Sequence, residues 1–219
     1  SAVITASYGP VVQNVTVTVA DGRFWYSLGN GLGNGLDNNW YLDGNNASVV
    51  SSDGNKTTVQ MGSGYRGDLW LARSGKGKIV NVTPADYRYF AIKVGFKSQL
   101  VPGKNKPNGC IKLEIFDDGI KKIGPEYFGT GGDANNRYEI LGASEISTTE
   151  PNVLYYDLQS KYKTVTPTDW NQVFDLVQCK FVIADFPETA QTYDLYWIRS
   201  FKSIEELQAF VDSENNTNE

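Results

Sequence analysis

Three short segments set flat aromatic rings among paired donors and acceptors: "NNWYLDGNN" at 38–46, "GSGYRGD" at 62–68 and "GPEYFGTGGDANNRY" at 124–138. A ring's π face suits an apolar C–H surface, while Asn, Asp and Arg supply donors and acceptors for a fringe of hydroxyls. A sugar presents both surfaces at once. Trp40, Tyr65 and Tyr127 are the candidate stacking residues, and Asn39, Arg66, Asp68, Asn136 and Arg137 the candidate hydroxyl partners. By analogy with base stacking, each ring is worth about 1–3 kcal/mol, and each neutral hydrogen bond about 0.5–1.5 kcal/mol. Two or three rings then give the micromolar-to-millimolar affinity of a module that works by repetition.

Other chemistries are excluded by what the chain lacks. It contains no histidine, which removes Ser-His-Asp and Cys-His catalysis and imidazole-ligated metals. Glycines 29, 31, 33 and 35 approach a dinucleotide fingerprint, but "LDNNWYLDGNN" follows where a phosphate-binding helix would have to start. Asp37, Asn38, Asn39, Asp43 and Asn45 offer hard oxygens without the spacing of a calcium-binding hand. No cofactor is expected, and a structural calcium in these loops is the one metal for which the sequence has suitable oxygens. Glu114, Asp117, Glu126, Glu139 and Asp157 lie near apolar strands, yet no motif selects two of them as a hydrolytic pair. The expectation is therefore a domain that is not an enzyme, with a glycoside hydrolase using a carboxylate pair as the alternative.

The net charge of −5 and the pI near 4.9 leave no basic footprint for nucleic acid. Lysines 93, 97, 104, 106, 112, 121 and 122 read as solvated strand faces and loops. No apolar run approaches the ~18 residues of a membrane span, so no membrane insertion by this domain is expected. Sequons begin at Asn14, Asn46, Asn55, Asn81 and Asn215 and permit glycosylation in a eukaryotic host. Cys110 reads as exposed and Cys179 as core, which disfavours a disulfide between them.

The elements that must position these residues are strands. Alternating, β-branched segments recur from "NVTVTVADG" to "TYDLYWIRSF", each bounded by Gly, Asn, Asp or Pro and none separated by a long helix. This pattern predicts an all-β antiparallel sandwich. Phe24, Trp70, Phe90, Phe96, Phe181, Tyr196 and Trp197 lie in strand-like runs and read as core. Trp25 leans toward the core, and Trp170 pins a turn. Residues 192–201 are apolar on both parities, as an inner strand covered on both sides would be. Ser203 and Glu206 have capping-box spacing, and Ile204, Leu207, Phe210 and Val211 form one stripe, which predicts a short closing helix over 204–212. A single domain then spans 1–212, with 213–219 a polar tail or linker. In "FWYSLGNGLGNGLDNNWYL" (24–42), Gly and Asn supply the turns of a rim; Phe24 and Trp25 anchor it and Trp40 faces the ligand.

The ending "QCKFVIADFPETAQTYDLYWIRSFKSIEEL" resembles the closing strands of non-catalytic carbohydrate-binding domains from surface glycan-binding proteins and modular glycosidases of Bacteroidota polysaccharide-utilisation systems. The corresponding segments are Phe181 to Asp185, Thr192 to Phe201 and Lys202 to Leu207, with "VLYYDL" (153–158) like the strand before them. The resemblance covers about the last third of the chain. It implies a jelly-roll-like sandwich at the cell surface, tethered to the outer membrane as part of a larger protein. It also implies binding of a plant or dietary polysaccharide such as xylan, mannan or β-glucan, concentrated for degradation. The implied partners are that polysaccharide or its oligosaccharides, and other domains of the parent surface protein or glycosidase. It transfers no ligand-binding residues. A structural or interaction domain, with the closing helix stripe as its interface, is the third reading.

Overall fold

The computed structural model describes residues 2–8, 11–17, 23–32, 40–42, 47–61, 66–72, 80–82, 86–97, 110–117, 126–128, 138–159, 174–184 and 192–216. β1 (Ala2–Tyr8) and β2 (Val11–Val17) form an antiparallel pair. A six-stranded sheet contains β4 (Tyr41–Leu42), β7 (Arg66–Ala72), β8 (Val80–Val82), β10 (Cys110–Asp117), β11 (Glu126–Phe128) and β14 (Phe174–Ala184). Its order is β11-β10-β14-β7-β4, with β8 also on β14. A seven-stranded sheet contains β3 (Trp25–Ser27), β5 (Ala47–Ser52), β6 (Thr57–Met61), β9 (Tyr89–Phe96), β12 (Glu139–Ile140), β13 (Asn152–Asp157) and β15 (Thr192–Phe201). Its order is β12-β13-β9-β15-β6-β5, with β3 also on β15. One helix follows, α1 (Ile204–Asn216). Leu69, Leu113 and Phe181 of the first sheet share a core with Phe90, Ile92, Val94, Leu154, Leu195 and Ile198 of the second. The fold is the expected all-β antiparallel sandwich with a short C-terminal helix.

β15 explains its own two-sided pattern. Tyr193 and Leu195 enter the inter-sheet core, and the register with β9 then shifts between Leu195 and Trp197. Tyr196 is the extra residue of this bulge, so Tyr196 and Trp197 both belong to the outer face and Ile198 returns to the core. Beyond the bulge, Trp197 and Phe201 pack with Ala91, Val153 and Leu207, the buried residue of α1. Burying a leucine in this way is worth about 1.5–3 kcal/mol.

The helix begins as its capping residues dictate. Ser203 Oγ accepts from the Glu206 amide at 3.2 Å, and the Glu206 carboxylate accepts from the Lys202 amide at 2.7 Å. It ends later than expected, running through Asn216. The predicted polar tail is thus helical over residues 213–216, because Glu214 finds two donors on the sheet: Lys93 Nζ and Trp197 Nε1, each at 3.1 Å.

The start of the Gly-Asn stretch is tied down, not looped outward. Gly54 N donates to Gly29 O at 3.0 Å, so close that a Cβ on Gly29 would collide with the Gly54 carbonyl. The buried Thr57 hydroxyl donates to Leu28 O and accepts from Gly31 N, and Gly31 adopts φ 93°. Residues 33–39 lie outside the described residues. The cysteines are kept apart by register: Cys110 faces Ala184 and Cys179 faces Ile115. Five residues of strand, about 16 Å, separate the two positions, which precludes a disulfide.

Candidate functional site

In the 24–42 stretch Trp40 is the buried tryptophan and Trp25 the half-exposed one, the reverse of the expected burial. Trp40 is 0% exposed, packed in the inter-sheet core with its ring edge-on to Tyr26 at 6.0 Å. It cannot stack on a ligand, and its assignment as a sugar-facing residue is corrected. Trp25 is 42% exposed, with the Arg23 guanidinium 3.8 Å and the Arg199 guanidinium 4.4 Å from its ring centroid.

Asn39, Tyr65, Asn136 and Arg137 lie outside the described residues. Arg66, Asp68 and Tyr127 fall on strands of the six-stranded sheet. Leu69, Phe181 and Leu113 line its inner face, so alternation puts Trp70 and Lys180 on the outer one. Strand pairing then aligns Tyr41, Trp70, Lys180, Glu114 and Tyr127 in one row across five strands. Trp70 and Lys180 are both buried at the centre of this row, with Lys180 Nζ 4.7 Å from the indole centroid. The row has a closed centre.

The calcium-loop acids Asp37 and Asp43 also lie outside the described residues. Among the described residues, no three or more Cys, Asp or Glu are grouped to hold a metal ion. Asp157, one of the candidate hydrolytic carboxylates, is held by both arms of Arg88 at 2.7 and 2.6 Å.

An open site lies on the outer face of the seven-stranded sheet. α1 covers part of that face, over Ala91, Val153, Trp197 and Phe201. Beside the helix is a cleft of about 760 Å³, within the size range of small-molecule sites. Lys93, Val153 and Tyr196 line its floor; Gln208, Asp212 and Asn215 of α1 form one wall; Gly142, Ser147 and Glu150 contribute to the other; Asn55 lies at the margin. Both walls are braced. Asn152 Oδ1 accepts from the Ser147 amide at 2.7 Å, and its Nδ2 donates to the Ser147 carbonyl at 2.9 Å. The Glu150 amide donates to Ser147 Oγ at 3.0 Å. The helical wall is pinned by the Glu214 contacts.

A charged cluster adjoins the ring of Tyr196. Asp194, only 1% exposed, accepts through Oδ2 from Lys56 Nζ and Lys97 Nζ, each at 2.8 Å, and through Oδ1 from Thr58 Oγ1 at 2.7 Å. Burial pushes its pKa up, but these three hydrogen bonds outweigh burial and hold it below the ordinary 3.8. The bond to Asp194 raises the pKa of Lys56 against the opposing effect of burial. Burial raises that of the Tyr196 phenol, which stays neutral at neutral pH. Gly95 pairs with Asp194 across the sheet, and a Cβ there would lie 3.6 Å from both Asp194 Cβ and Tyr196 Cε2.

The sequence reading missed Tyr196, Lys56, Lys97 and Asp194 as a site. The visible signal was the Tyr-Trp pair in the middle of a strand already apolar on both parities, which only a bulge reconciles.

A solved structure matches the chain: the xyloglucanase domain of NopAA, a type three effector from Sinorhizobium fredii, in complex with cellobiose. It is 11% identical, covers 74% of this chain and 91% of its own, and has a TM-score of 0.29. That neighbour is named as a hydrolase domain, so the expectation that this chain is not an enzyme is withdrawn. At such a TM-score no residue role or reaction is transferred. No curated protein matches the chain. A family model described as "Domain of unknown function (DUF4979)" matches residues 31–207, and the chain belongs to that family.

Proposed function

We propose that this domain binds a saccharide chain in the cleft between α1 and the 140–151 segment. The observation that supports this best is Tyr196 itself, an aromatic residue on the outer sheet face beside a braced, polar-walled cleft, at the β-bulge that keeps Trp197 on the same face. Tyr196 supplies the stacking surface, worth about 1–3 kcal/mol by analogy with bases. Gln208, Asp212, Asn215 and Asn55 supply hydroxyl partners. The segments that resemble extracellular glycan-binding domains correspond to β14, β15 and α1, and the last two build this cleft. By that resemblance the domain works at the cell surface as part of a larger glycan-binding protein or glycosidase, on a polysaccharide such as xylan, mannan or β-glucan.

Affinity electrophoresis against xylan, mannan, β-glucan, pectin and starch tests the reading. Retardation by at least one polymer is expected, weakened about tenfold or more in Tyr196→Ala. Gln208→Ala, an exposed helix position, is the variant that keeps the fold intact while removing a wall contact. Release of reducing ends in the same incubation reports cleavage. Failure of every polymer to retard the protein would remove the saccharide reading.

A further inference from the structure

We infer that the saccharide held beside Tyr196 is acidic, with a uronate carboxylate seated on the ammonium groups of Lys56 and Lys97. This rests on the saccharide reading of the cleft and specifies its ligand class.

The charges here are layered. Asp194 lies at the bottom, 1% exposed, while the side chains of Lys56 and Lys97 above it are 30% and 52% exposed. Each ammonium has three N–H donors. Among the described residues, Asp194 is the hydrogen-bond acceptor for both lysine side chains. Each therefore retains donors on its solvent side. Because both nitrogens lie 2.8 Å from the same oxygen, they are held close together before any ligand arrives. A second carboxylate meets two fixed cations and forms charge-assisted hydrogen bonds, which are stronger than neutral ones. Asp53, the next carboxylate along the chain from Lys56, accepts instead from the Asn55 and Lys56 amides at 2.9 Å.

The ammonium pair and the aromatic ring belong to one surface. A Cβ on Gly95 would touch both Asp194 and the Tyr196 ring edge, and glycine places no side chain between them. A uronic acid carries an apolar C–H face and a carboxylate on the same ring, and so matches the tyrosine and the lysines together. A neutral sugar matches only the tyrosine. Lys93 is not part of this pair: it stands 5.5 Å from the Tyr196 ring centroid and is bound to Glu214.

The test compares matched polymers that differ only in charge: polygalacturonate with its methyl ester, and glucuronoxylan before and after carbodiimide reduction of its uronates. The charged member of at least one pair should bind about tenfold more tightly, with the preference shrinking as salt rises. Lys97→Met should abolish the preference and keep the affinity for the neutral member, since Asp194 retains Lys56 and Thr58. Equal affinity for charged and neutral members would overturn the inference and leave the saccharide reading standing. A preference that survives in both Lys97→Met and Lys56→Met would also overturn it. Equal retention of dextran sulfate would reduce the effect to general polyanion attraction, with the same consequence. Binding to no polymer at all would remove both readings.

Discussion

Glu214, in the last turn of α1, accepts hydrogen bonds from the Trp197 indole and the Lys93 ammonium of the underlying sheet, each at 3.1 Å. A carboxylate at a helix C-terminus opposes the macrodipole, so its partners on the sheet must account for its place there. The contact fixes the helical wall of the cleft. Glu214→Gln should keep a weaker bond to the indole and cost about 0.5–1.5 kcal/mol, given that both charged groups are partly exposed. A fall in Tm of a few degrees follows for a domain of this size. Thermal unfolding of the variant checks this, and an unchanged Tm would mean that Glu214 does not pin the helix.

Trp40 and Trp25 make opposite predictions. Trp40→Ala empties a fully buried site and should cost about 3–5 kcal/mol. Trp25→Ala removes a half-exposed ring and should cost clearly less, about 1 kcal/mol, mostly lost stacking with Arg23 and Arg199. Denaturant titration of both variants would show the order, and a reversed order would contradict the burial seen here.

These tryptophans also mark how far the sequence was legible. Strand alternation, the sandwich and the capped helix were readable because each rests on local periodicity. Trp40 sits beside a two-residue strand in a glycine-rich stretch, where local context resembles a loop rim. Its burial is decided by the sheets on either side, which alternation within the stretch does not encode. Tyr196 failed in the other direction. The strand is apolar on both parities, so its sequence does not say which parity faces the core, and the bulge to β9 puts Tyr196 and Trp197 side by side on the outer face. The lysine pair was invisible for a third reason: Lys56, Lys97 and Asp194 are brought together by three adjacent strands, with up to 138 residues between them in the chain.

Gly29 is constrained by approach, not by a positive φ. Any side chain there meets the Gly54 carbonyl, whose backbone position is set by the β5–β6 turn. Gly29→Ala should cost about 1–3 kcal/mol, the range for overpacking a filled site. Gly142→Ala, at φ 72° but with open space around it, should cost about 1 kcal/mol through backbone strain alone. Equal costs for the two, by equilibrium unfolding, would contradict the close approach at Gly29.

Asp194 makes stability depend on pH in one direction. Its folded-state pKa is lowered below 3.8, with burial opposing and the bonds from Lys56, Lys97 and Thr58 prevailing. Its contribution is therefore fully present above the unfolded-state pKa, and it is lost as pH falls through the folded-state value. Asp194→Asn removes that dependence and leaves two ammonium groups facing a neutral amide. The variant should be less stable than the parent at pH 7, and the gap should narrow as pH falls below the unfolded-state value of about 3.9, where the unfolded parent takes up a proton that the folded one resists. Denaturant midpoints at pH 7, 5, 4 and 3 for both proteins measure it. A gap that stays constant across this range would mean that the carboxylate charge contributes nothing and that Asp194 acts only as a buried hydrogen-bond acceptor. The ammonium pair would then not be held in place by charge, and the seat proposed for a uronate would lose its anchor.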